Sequence, residues 1–262
     1  MKRRNLSLIL AILMALSLML SACGTSQEDI AGKVTPVATE PAPETTEPVP
    51  ETTAAAEPET NQAPEEETTL PEENIVSIGR IEGGTYTNNY VGFAMDLDSS
   101  WTYYSAEELQ DIPENVAEMF AGSELGDSLN PLEQFTDMVA ENVNLLTTIN
   151  VLYQKLDMQS RLIYAAMEEE AILDATLAQS DLMLEAYSQA GIEVSSMEKV
   201  TVTFLGEERP ALKTVAVMQG LDYYILQVFD YHLGEYSATI TFASFVEDKT
   251  EELVAMCYPI GE

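Results

Sequence analysis

The sequence predicts an α+β fold, an antiparallel β-sheet flanked by helices, carried at the end of a disordered acidic linker. Three features of the 262-residue chain support this. Apolar and polar residues alternate with period two in several runs after Thr148, the pattern of strands with one face buried. Segments with helical spacing and capping residues fall between those runs. Before Asn74, by contrast, the chain has no aromatic residue and is dense in proline, so it lacks the material for a core.

The leader comes first. Lys2, Arg3 and Arg4 precede an apolar run from Leu6 to Leu20, broken only by Ser7 and Ser17. This is the charge and hydropathy profile of a secretory signal peptide over residues 1–22. A spanning helix needs about 20 apolar residues to cross roughly 30 Å of hydrocarbon, and this run is shorter and has no basic stop after it. The run ends in Leu20-Ser21-Ala22-Cys23, which resembles the lipobox of bacterial lipoproteins. That resemblance implies cleavage before Cys23, a diacylglycerol on its sulfur and attachment to the cell membrane on the extracytoplasmic face. The step requires cysteine because its thiolate is the nucleophile. Each buried methylene of the acyl chains adds about 0.8 kcal/mol, so two chains anchor stably where one does not.

Residues 23–73 read as a disordered linker rich in proline, threonine and glutamate. Eight of the twelve prolines lie between Gly24 and Glu73, with 13 acidic residues against Lys33, a net charge of −12. Proline and self-repulsion both favour extension, up to about 3.1 Å per residue, so the tether reaches on the order of 100 Å. It serves either as a spacer, with threonines open to glycosylation, or as a passive link.

The folded part, residues 74–262, is long enough for one domain with its own core. Strands are expected near Thr85–Thr87, Gly92–Leu97 and Asp137–Glu141. In Thr148–Leu156, Ile149, Val151 and Tyr153 share one face. Lys199–Leu205, Tyr223–Phe229 and Tyr236–Phe242 follow, the first and last half-covered and the middle one apolar on both parities. Short connections at Gly206–Pro210, Gly220 and Leu233-Gly234 join the region Lys199–Ala243 into a four-stranded meander. Ser105 with Glu108 forms a capping box, and the helix it opens should break at Pro113 before Phe120. A long helix is expected over Glu168–Ala190, with Leu173, Leu177, Leu184 and Tyr187 inward and Gly191 at its end. A last helix, Glu247–Cys257, should present Leu253 and Cys257 to the core.

The run GGTYTNNYVGFAMDLDSSWTYYSAEEL, Gly83–Leu109, resembles the opening of PsbP-like domains: a tyrosine-asparagine strand, a glycine-phenylalanine strand, a tryptophan and a helix. The resemblance covers roughly Gly83–Ile260 and implies a PsbP-like α/β/α sandwich. Asp98 stands where that family often has proline. The whole chain is similar to surface lipoproteins of Gram-positive bacteria that carry such a domain without an established activity. Photosynthetic members assist a metal cluster, and no motif here carries that role over.

Chemistry-bearing residues are sparse in the domain. His232 is its one histidine and Cys257 its one cysteine, so a zinc site is not expected. His232 reads as a turn residue, with no GxSxG elbow to accompany it, and Cys257 as a buried small hydrophobe. A disulfide is not expected, because Cys23 is committed to lipid. Glu168, Glu169, Glu170 and Asp174 read as a solvated helix start, since no calcium-loop motif surrounds them. The domain carries a net charge of −25, which repels nucleic acid. Trp101, Tyr103, Tyr104, Tyr223 and Tyr224 remain as a candidate ligand surface for a protein, peptide or glycan, or as residues that finish the core. No catalytic residue, cofactor or metal is expected. The reading is a lipid-anchored, non-catalytic binding or envelope-assembly module, with a cell-surface hydrolase using paired carboxylates as the alternative.

Overall fold

The computed structural model describes residues 78–119, 134–178, 180–231 and 234–261. The leader, Cys23, the linker and His232 lie outside the described residues. Four strands, β1 (Gly79–Glu82), β2 (Thr85–Asn88), β3 (Phe93–Asp96) and β11 (Cys257–Pro259), form one sheet in that order. The others are β4 (Thr102–Tyr103), β5 (Gln134–Asn142), β6 (Thr147–Lys155), β7 (Ile192–Phe204), β8 (Glu207–Met218), β9 (Leu221–Asp230) and β10 (Tyr236–Phe245). They form a seven-stranded sheet ordered β4-β5-β6-β10-β9-β8-β7, with every pairing antiparallel. The expected meander is therefore present as β7 to β10. The architecture is α+β, with antiparallel sheets flanked by helices. The two edges of the large sheet differ: β4 has two residues, whereas β7 has 13 and carries a bulge between Val194 and Ser196.

The helices are α1 (Ala106–Met119), α2 (Met158–Ala166), α3 (Glu169–Leu177), α4 (Ser180–Gln189) and α5 (Thr250–Val254). The capping box forms as expected. Glu108 Oε2 accepts from Ser105 N at 2.8 Å and Glu108 N donates to Ser105 Oγ at 3.3 Å. Helix α1 is continuous across Pro113, which corrects the expected break. The single long helix is also corrected: α3 and α4 replace it, so Leu184 falls outward and is exposed while Leu173 and Tyr187 remain buried. Helix α2 is an element the periodicity did not mark. It buries none of its residues and is held by the Asp157 side chain, which accepts from Ser160 N, and by the Tyr164 ring against Tyr231. The last helix is only five residues, and Cys257 starts β11 opposite Met95 instead. Its side chain is nonetheless buried, and burial pushes its thiol pKa up.

One face of the large sheet packs under helices. There Ile112 of α1 and Ala186 and Tyr187 of α4 meet Val139, Leu152, Ile225 and Ala243. The opposite face packs against the small sheet and α5, where Tyr86, Phe93 and Met95 meet Ile149, Val151, Phe242 and Leu226. Strands β6 and β10 are therefore covered on both faces. They were expected to be half-covered; helices lie over the polar parity that the alternation had assigned to solvent.

The two sheets are joined by a buried polar network. Tyr86 Oη donates to Asp137 Oδ2 at 2.6 Å, and Asp137 Oδ1 accepts from Ile78 N and Gly79 N at 2.9 and 3.1 Å. Asn88 Nδ2 lies 2.7 Å from the hydroxyls of both Tyr86 and Tyr153. Asn88 Oδ1 accepts from Tyr90 N and Val91 N. Asp137 reaches this position because β5 shifts register between Thr136 and Met138, a bulge that re-aims a side chain. Gly79 is required beside it, since an added Cβ would sit 2.4 Å from Asp137 Oδ2 and from the Tyr86 ring.

Burial, reinforced by Asp137, pushes the Tyr86 hydroxyl well above its ordinary pKa of 10.0. The stability this hydroxyl contributes is present below pH 10 and is lost as pH rises past it, because the unfolded chain releases the proton first. Tyr86→Phe should cost about 1.5–3 kcal/mol at neutral pH, through the charged partner it leaves behind. Denaturant titrations of both proteins from pH 8 to 11 should show a steeper alkaline loss in the wild type than in the variant.

Candidate functional site

The turn between β5 and β6 is built from Val143, Asn144, Leu145 and Leu146. Polar residues normally fill such turns, because their side chains face water. Here Val143, Leu145 and Leu146 are 54%, 46% and 41% exposed. Asn142 shapes the turn by accepting from Asn144 N and Leu145 N, each at 3.2 Å, through its side-chain oxygen. Its amide nitrogen donates to Ser100 Oγ at 2.8 Å, which ties the hairpin to the Asp98–Trp101 turn. Asp98 O in turn accepts from Trp101 N at 3.1 Å.

Two further loops join this end of the sheet. Phe245 N donates to Leu146 O at 3.1 Å and Val246 N to Asp222 O at 2.8 Å. Val246 and Leu221, 56% and 46% exposed, thus stand beside the hairpin turn. Five branched aliphatic side chains consequently share one tip of the domain, on loops stitched together by backbone hydrogen bonds. Scattered single apolar residues on a surface are ordinary, whereas a contiguous group marks a contact surface.

The backbone at the tip is strained. Leu146, Gln219 and Val246 have φ of 53°, 52° and 71°, in the left-handed region that disfavours side chains with a Cβ. For a β-branched residue such as Val246 this is a true outlier, of the kind that collects at functional sites. The rim is acidic. Asp98, Asp222, Glu247 and Asp248 are exposed, while the nearby cations are engaged: Lys213 pairs with Asp248 at 2.6 Å and Lys249 with Glu247 at 3.6 Å. Burial works against ionisation of Asp248, yet Lys213 and Thr250 hold its carboxyl below the usual range.

The five aromatic residues singled out from the sequence come to this same end of the sheet but not to one surface. Trp101 and Tyr103 lie at the β4 edge, partly buried against the core shared with the small sheet. Tyr103 donates to Gly84 O at 3.0 Å, and burial raises its pKa to about 12. Tyr104 lies on the helix side and donates to Glu141 Oε2 at 3.2 Å. Tyr224, also partly buried, pairs with Ser244 and Val215, strands away from Trp101. Tyr223 is a correction. It is fully buried and stacks on Phe245 at 4.4 Å, because its parity on β9 points under α4 and not to solvent. The residues that do form a surface were missed. Their signal was three apolar side chains in a turn only four residues long.

The acids at the start of α3 are not simply solvated. Lys199 bonds Glu170 and Asp174 at 2.9 and 2.6 Å, and Arg209 pairs with Glu169 and donates to Phe229 O at 3.3 Å. Among the described residues no group of three or more histidines, cysteines or carboxylates is placed to hold a metal ion.

Because Gly adopts positive φ without steric cost, Val246→Gly should raise stability by about 0.5–1 kcal/mol after allowance for its greater unfolded-state freedom. Val246→Ala should not. Paired denaturation curves would check this.

No family model matches the chain, and no curated protein matches it. Among solved structures, the solution structure of cyanobacterial PsbP (CyanoP) from Synechocystis sp. PCC 6803 is similar to 73% of this chain and 98% of that chain, at 9% sequence identity and a TM-score of 0.37. At that score the superposition carries no argument about function, and the architecture rests on the strand register given above.

Proposed function

We propose that this protein is a lipid-anchored, extracytoplasmic binding module that catalyses nothing and docks a protein partner at its apolar tip. Cys23 carries the acyl chains, residues 23–73 hold the domain off the bilayer, and Val143, Leu145, Leu146, Leu221 and Val246 form the contact. The observation that carries the reading is the exposure of these five side chains on one strained, hydrogen-bonded set of loops. Strain kept at a surface that packs nothing within the domain is consistent with selection for contact with something outside it.

The acidic rim narrows the partner. An anionic bilayer or a second copy of the same tip would meet like charge, which costs encounter rate and affinity. A protein with an apolar centre framed by lysine or arginine complements the surface instead. The tether does not obstruct it. Ile78 is fixed at Asp137, five residues along β5 from Asn142, or roughly 17 Å at strand rise.

Two experiments test the reading separately. Cys23→Ser should shift the protein from the membrane fraction to the medium in detergent partitioning, and an unchanged distribution would remove the anchor. A photocrosslinking side chain at position 143 in intact cells should give a discrete protein adduct. Leu145→Asp with Val246→Asp should reduce that adduct at least about tenfold, as loss of central apolar contacts does, without lowering the melting temperature. Adducts only to lipid, or an adduct indifferent to both substitutions, would rule out the tip as the docking surface.

A further inference from the structure

Alternate residues of β6 turn Thr148, Asn150 and Leu152 toward the helices. Their cross-strand neighbours on β10 are Ala243, Thr241 and Thr239, and Thr241 in turn faces Gln227 of β9. Thr148, Asn150, Thr241, Thr239 and Gln227 are all buried. A polar face of this kind sits oddly beneath a layer that elsewhere buries Val139, Ile225 and Leu152.

Its hydrogen bonding is incomplete. Gln227 Nε2 donates to Thr241 Oγ1 at 3.3 Å. Among the described residues, neither the amide nitrogen nor the amide oxygen of the fully buried Asn150 has a hydrogen-bond partner, and the Thr148 hydroxyl likewise has none. Native proteins satisfy nearly all buried polar groups, and each exception calls for a cause. Asn150 offers two donors and one acceptor, while Thr148 offers a hydroxyl capable of both roles. Among the described residues, the neighbours of this row on β5 and β8 are Val139 and Leu212, and its first charged member is Lys199 at the β7 edge. Glu141, opposite Thr148 on β5, accepts from Tyr104.

We propose that this face of the sheet is a binding site for an uncharged small molecule that both donates and accepts hydrogen bonds, the chemistry of a hydroxylated, amide-bearing sugar. Asn150 is the central contact, Thr148 flanks it along β6, and Gln227 and Thr241 continue the row across β10 to β9. The site is distinct from the tip, which is apolar, exposed and suited to a macromolecule.

The proposal separates binding from stability. A polar side chain retained for a ligand makes the ligand-free protein less stable than an apolar replacement of similar shape would. In the full-length chain in detergent, Asn150→Leu and the nearly isosteric Thr148→Val should each raise the melting temperature, by about 2–4 °C on the scale of a domain of this size. Millimolar N-acetylglucosamine, which carries both hydroxyls and an amide, should raise the melting temperature of the wild type and leave Asn150→Leu unchanged. A lower melting temperature in Thr148→Val as well as in Asn150→Leu would mean that the polar groups are structural, and would overturn the proposal. So would a wild-type melting temperature that the sugar does not move. Thr148→Val guards against the case in which leucine overpacks the site.

Discussion

The structure depends on one carboxylate. Asp137 sits where β5 slips its register, and from there it accepts from the Tyr86 hydroxyl and from the backbone amides of Ile78 and Gly79, where the chain enters the small sheet. Without the bulge the side chain would alternate into the strand's ordinary pattern and reach none of them. Through Tyr86, Asn88 and Tyr153 the same contact spans both sheets. A buried network of this kind specifies one arrangement only when every member is satisfied, and here each named atom has a partner. The small sheet is thereby fixed over β5 and β6, and with it the Asp98–Trp101 turn that braces the tip.

Much of this was legible in the sequence. Period-two alternation located β6, β7 and β10, glycines and short connections joined β7 to β10, and Ser105 with Glu108 marked the start of α1. What alternation cannot say is what covers the polar parity. Thr239, Thr241 and Asn150 look like residues facing water, and only the placement of the helical layer shows them buried. Tyr223 was misjudged for the related reason that a tyrosine beginning a strand reads as a rim residue until the strand is known to run under α4. Pro113 and the division between α3 and α4 depend on tertiary packing that outweighs local preference.

The tip and the buried polar face invert the usual distribution of residues in opposite directions. At Leu146 and Val246 apolar groups are presented to solvent on backbone that strains to hold them. At Asn150 an amide is enclosed without a bond from any described residue. Local rules of propensity and polarity fail at both places while agreeing nearly everywhere else in the domain, and such failures concentrate where a sequence is constrained by something besides folding.

The long outer strand β7 has a further consequence. A sheet boundary 13 residues long is a template on which another chain can add itself. The kink at Val194–Ser196 bends that boundary, and Glu193, Glu198 and Lys199 place charge along it. At the opposite boundary β4 pairs only with Ala140 and Glu141 of the nine-residue β5. A neighbouring chain therefore meets a bent, charged ladder along β7 and not a straight, neutral one.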